Sequence, residues 1–146
     1  MNKIYKVLSR NRCELYCTQR HSNTSVIISI KSTYDKVIPN VFCSNTNNVK
    51  AILSLSFDDV EAEDLFFQNR EYCITFKDGE KIAAFVKEWY TKVDSIIIHC
   101  DAGISRSAGV CAAIMQVYEG YYTPIWKNKT PNMTCFLRTL KGFNYI

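Results

Sequence analysis

The stretch Ile96-Ile97-Ile98-His99-Cys100-Asp101-Ala102-Gly103-Ile104-Ser105-Arg106-Ser107 joins a buried-strand pattern to a cysteine, a short loop and an arginine. It runs straight into the small apolar residues Ala108-Gly109-Val110-Cys111-Ala112-Ala113-Ile114-Met115. Three isoleucines in a row leave no polar face for water, so the strand is covered on both sides, as strands of parallel sheets are. The residues after Arg106 predict a helix packed against that sheet. The loop between them stands at the carboxyl end of a strand and the amino end of a helix. Unpaired N–H groups and the helix dipole there favour an anion and hold a cysteine as its thiolate. A phosphate site and a nucleophile coincide.

Each loop position has a physical task. Gly103 permits a backbone angle closed to other residues, so that the N–H groups of Asp101, Ala102, Gly103, Ile104 and Ser105 curl around one phosphate. Arg106 reaches back with a planar fork that binds two phosphate oxygens at once, which lysine cannot imitate. Ser107 can donate a hydrogen bond to the cysteine sulfur and assist its departure. His99 reads as an orienting group rather than a base, because the loop itself ionises the thiol.

The pattern His99-Cys100-x-x-Gly103-x-x-Arg106-Ser107 resembles the signature of the cysteine-dependent protein tyrosine phosphatases. The run Ala102 to Ser107 is most similar to the compact dual-specificity branch. A bare Cys-x5-Arg also occurs in rhodaneses and arsenate reductases, but those chemistries account for neither Ser107 nor the upstream Asp58-Asp59 pair. The resemblance implies a phosphomonoester hydrolase acting through a phosphocysteine on Cys100, with Arg106 binding phosphate and an aspartic acid protonating the leaving group. That acid comes from a loop after another strand in the family. Here the place is Phe57-Asp58-Asp59-Val60, with Asp59 the first candidate and Asp58 the alternative general acid. The distance to Cys100 exceeds the family's usual one; the insert from Glu61 to Glu71 accounts for it and leaves Asp64 and Asp78 as outside candidates.

The chain has 146 residues, of which 47% are hydrophobic, enough for one core and one phosphatase-like domain over 1–146. Its formal charge of +4 suits anionic substrates without the basic run that nucleic acid would need, so no nucleic-acid partner is expected. Seven cysteines, no leader-like start and no bilayer-length apolar stretch point to a reducing compartment, the cytoplasm, and to no membrane partner. With no CxxC pair and two histidines there is no metal-site spacing, and the site needs no cofactor. Cys13, Cys17, Cys43, Cys73, Cys111 and Cys135 read mostly as small buried hydrophobes, any one a candidate for a protective disulfide with Cys100.

Elements alternate along the chain. Ile4 to Leu8, Val26 to Ile30 and Val49 to Phe57 read as strands. Asn11 and Glu14 resemble a capping box opening a helix through Arg20, and Thr75 and Asp78 cap a long helix whose Ile82, Phe85, Val86 and Trp89 form its buried stripe. Thr130-Pro131 reads as a cap and first position of a last helix with Cys135, Phe136, Leu137 and Leu140 facing the core. Tyr121, Tyr122 and Trp126 read as packing rather than pocket. The expected fold is α/β in three layers, a mostly parallel central sheet of about four to five strands with helices on both faces, as the resembling family also has.

A phosphorylated protein or small phosphomonoester is the expected substrate, taken by a monomer. The alternative is a catalytically weak module that binds phosphorylated partners. RNA 5′ ends and inositol phosphates rank lower, the latter because phosphoinositide-directed relatives tend to carry basic residues where this loop has Asp101, Ala102, Ile104 and Ser105.

Overall fold

The computed structural model describes residues 2–61 and 72–146. Among these residues four strands form one sheet, β1 (Ile4–Ser9), β2 (Ser25–Lys31), β3 (Val49–Ser56) and β4 (Ser95–Cys100), in the order β1-β4-β2-β3. Every pairing is parallel, with Ser9 opposite Cys100 and Ser29 opposite His99. The two strands richest in isoleucine take the centre: β4 is buried along its whole length and β2 along all but its last residue. β1 and β3, which carry lysines and serines, take the edges.

Five helices connect and cover the sheet among the described residues: α1 (Arg10–Thr18), α2 (Phe76–Trp89), α3 (Arg106–Glu119), α4 (Thr123–Trp126) and α5 (Met133–Gly142). On one face α1 packs Cys13, Tyr16 and Cys17 against Ile27, Val49 and Ile97. On the other, Ile82, Ala83 and Val86 of α2 and Val110, Cys111 and Ile114 of α3 meet Val26, Ile28, Ile30, Ile96 and Ile98 in the main core. α5 lies outside these two, pressing Phe136 and Leu140 on Ala112 and Ala113. The α/β layering expected from the sequence is present, with a sheet that is parallel throughout the described strands.

Three local expectations are corrected. α1 is capped by Ser9, whose Oγ accepts from Arg12 N at 3.2 Å, and it ends at Thr18; Asn11 lies inside it. A serine that ends β1 in extended geometry already supplies the oxygen the first turn needs. α5 is capped by Asn132, with Thr130 and Pro131 outside the helix. Thr130 is held elsewhere, its N–H donating to Ile104 O. Leu137 is about half exposed, not part of the core. The Thr75–Asp78 capping box is formed, so Asp78 serves α2, and Asp64 lies outside the described residues.

Candidate active site

Because all four strands run the same way, their carboxyl ends meet along one rim, where crevices of parallel sheets open. Cys100 ends β4, Ser32 follows β2, Asp58 and Asp59 follow β3, and Arg10 follows β1. The loop 101–105 crosses this rim. A cavity of about 440 Å³ opens on it, lined by Tyr34, Asp59, Cys100, Asp101, Ala102, Ile104, Ser105, Arg106 and Thr130.

The loop's shape is set by where its carbonyls go. Arg10 N donates to Asp101 O at 3.1 Å, and the segment 129–132 takes three more: Lys129 Nζ donates to Gly103 O at 2.8 Å, Thr130 N to Ile104 O at 3.2 Å and Asn132 N to Ser105 O at 2.9 Å. With those carbonyls engaged outside, the loop's N–H groups are left for an anion within. Gly103 has φ +72°, and a Cβ there would stand 2.5 Å from Leu8 C and Ser9 N, so no other residue fits. Ser105 precedes α3 without capping it; its Oγ donates instead to Asp59 Oδ1 at 2.7 Å. The first amides of α3 thus remain open to an anion.

Cys100 is 2% exposed, at the floor of the cavity, with Ser107 Oγ 3.0 Å from its sulfur. His99 is fully buried behind it. The ring's Nδ1 stands 3.3 Å from Cys100 O, an acceptor only, so Nδ1 carries the hydrogen and Nε2 accepts from the Ser29 hydroxyl at 2.6 Å. Burial pushes the His99 pKa down, which keeps the ring neutral.

Arg106 is anchored on one side. Its Nη1 donates to Phe57 O at 2.8 Å and to Ser32 Oγ at 2.9 Å, and its Nη2 donates to Asp101 Oδ2 at 3.2 Å. Ser32 in turn donates to the same Asp101 oxygen at 2.8 Å. With Nη1 tied to the end of β3, Nε and the second hydrogen of Nη2 are without a partner among the described residues and can meet an anion.

The two aspartates part company. Asp58 is turned away, accepting from Thr33 N and Thr33 Oγ1 at 2.7 Å each. Asp59 lines the cavity, where its Oδ1 also accepts from Asn132 Nδ2 at 2.8 Å. Cys100, Arg106, Ser107, Asp59 and the loop residues are therefore together, and His99 is directly beneath.

Ser32, Tyr34, Lys129 and Asn132 escaped the sequence reading. Ser32 had one available signal, its place directly after an apolar strand of a parallel sheet. Tyr121 is exposed and Tyr122 packs on the core beside Phe136. Among the described residues no group of histidine, cysteine or acidic side chains is arranged to hold a metal, and no helix is long and apolar enough to cross a membrane.

No family model matches the sequence, and no curated protein does either. Solved structures do match by shape. Human DUSP28 superposes with a TM-score of 0.62 at 16% identity, covering 97% of this chain and 92% of that one. The human tyrosine phosphatase-like serine/threonine/tyrosine-interacting protein gives 0.53 at 18% identity, with 84% and 78% covered. PTPMT1 in complex with PI(5)P gives 0.51 at 16% identity, with the same shares covered. The chain therefore has the α/β fold of the dual-specificity and related tyrosine phosphatases.

Proposed function

We propose that the protein is a phosphomonoester hydrolase that works through a phosphocysteine. The observation that carries this is the meeting of Cys100, Arg106 and Asp59 on one cavity lined by residues of the 101–105 loop. Arg106 and the amides bind three phosphate oxygens and stabilise their charge as it grows in the transition state. The Cys100 thiolate attacks phosphorus, the P–O bond to the substrate breaks, and the leaving oxygen takes the Asp59 proton. Asp59, now ionised, takes a proton from water as that water attacks the phosphocysteine. The P–S bond breaks, inorganic phosphate forms, and Ser107 donates to the departing sulfur.

The substrate is a protein or small molecule with a single phosphate at the reacting end, since Asp101 puts a carboxylate, not a lysine, on the cavity wall. The protein's six other cysteines, five of them buried, fit a reducing cytoplasm. Aryl phosphate turnover in EDTA tests the reading. Cys100→Ser should abolish turnover and keep phosphate binding, and Asp59→Asn should slow phenyl phosphate by about 10²–10⁴ while sparing p-nitrophenyl phosphate, whose leaving group needs no proton. Turnover that vanishes in EDTA or survives in Cys100→Ser overturns it. Absent turnover with intact phosphate binding in the wild type would favour the phosphopartner-binding alternative.

A further inference from the structure

Asn132 joins three parts of the site and is fully buried. Its backbone N–H donates to Ser105 O of the phosphate loop. Its side-chain Oδ1 accepts from Cys135 N at 2.9 Å and caps α5. Its Nδ2 donates to Asp59 Oδ1 at 2.8 Å and to Val60 O at 3.2 Å. α3 approaches so closely that a Cβ on Gly109 would stand 2.4 Å from Asn132 O, so the residue cannot shift toward that helix. Both halves of one amide are in use, one for the helix and one for the acid loop.

Capping α5 explains Oδ1 and leaves Nδ2 unexplained. Any of the usual capping residues offers an oxygen, but serine, threonine and aspartate do not offer an amide donor. The two donors, Ser105 Oγ and Asn132 Nδ2, converge on the same oxygen of Asp59. Asn132 Nδ2 can only donate, so Oδ1 is the oxygen held as acceptor, and Oδ2, which has no hydrogen-bond partner among the described residues, is the one left to carry the acid proton.

We propose that Asn132, assisted by Ser105, is a positioning residue for the general acid, fixing on which oxygen of Asp59 the proton is carried. This rests on Asp59 being the acid. Each donor removed is one hydrogen bond fewer to the carboxylate that proton transfer leaves behind, so both variants should displace the basic limb of the pH profile.

The experiment compares pH profiles of kcat/KM for phenyl phosphate in the wild type, Asp59→Asn, Asn132→Asp and Ser105→Ala. Asn132→Asp keeps an oxygen for the α5 cap, removes the donor and sets a second carboxyl against Asp59. Its basic limb should move up by about one pH unit or more. In Ser105→Ala the limb should move the same way by less. Should both variants keep the wild-type limb while Asp59→Asn abolishes it, Asn132 is a helix cap only and the proposal is overturned with the acid assignment intact. A limb that survives in Asp59→Asn removes the acid assignment itself, and the positioning role with it. If Asn132→Asp shows no cooperative thermal transition, the direction of the shift in Ser105→Ala decides alone.

Discussion

Ser32 shows how one hydroxyl can govern a charged clamp. It accepts from Arg106 Nη1 and donates to Asp101 Oδ2, so it holds the fork in plane and keeps the neighbouring carboxylate from swinging into the phosphate position. A hydrogen bond to a charged group contributes about 1.5–3 kcal/mol. Ser32→Ala should therefore weaken vanadate inhibition by about tenfold or more, with Ser32→Thr restoring most of it. Equal inhibition in Ser32→Ala and the wild type would show that Phe57 O alone suffices. At this scale the loop was legible because its chemistry is local: cysteine, glycine, arginine and serine act within eight residues of one another. Ser32 and Asn132 were not, since their bonds to Asp101 and Asp59 reach across 69 and 73 residues of chain. The Asp58–Asp59 ambiguity had the same origin. Neighbouring residues past a strand end point in different directions, and Thr33 on one side and Ser105 and Asn132 on the other decide which carboxylate enters the cavity.

Helix ends were read correctly where the cap depended on its own turn alone. In α2 the Thr75 oxygen and the Asp78 carboxylate satisfy each other's backbone amides at 3.0 and 2.9 Å. Thr75→Ala should lower unfolding free energy by about 1 kcal/mol, measured by urea denaturation, and leave kcat near wild type; a large fall in kcat would mean that α2's start also shapes the site. The caps of α1 and α5 eluded sequence patterns because neighbouring segments had prior use of the residues. Ser9 ends a strand and begins a helix without a connecting turn. Thr130 and Pro131, a plausible helix start in isolation, belong to the strip that receives the phosphate loop's carbonyls, and the helix waits for Asn132. A segment with two tasks obeys the one that involves more partners.

The molecule as a whole couples acidity to stability through His99. Burial lowers its pKa from an ordinary value of 6.5, so below that value the unfolded chain takes up a proton that the folded chain refuses. The contribution to stability is complete above about pH 7 and is lost as pH falls from there toward the folded pKa. Urea midpoints should decline between about pH 7 and 5, and His99→Gln should decline less steeply over that range; parallel slopes would assign the acid sensitivity elsewhere. The layered architecture was legible from alternating strand and helix patterns, and the continuous apolar runs of β2 and β4 mark them as central. Pairing order was not, because strands with such similar side chains give one another no address. That order has its own consequence for how the protein is made. Among the described strands β1 has a single neighbour, β4, whose residues follow it by 91 positions, as Ile4 opposite Ser95 shows. During synthesis on a ribosome β2 and β3 can pair early, while β1 must stay alone until β4 emerges and slides between it and β2, a slow, long-range closure. The strand that completes the sheet is the strand that carries Cys100, the proposed nucleophile, so a nascent chain acquires that sulfur and its full sheet in the same event.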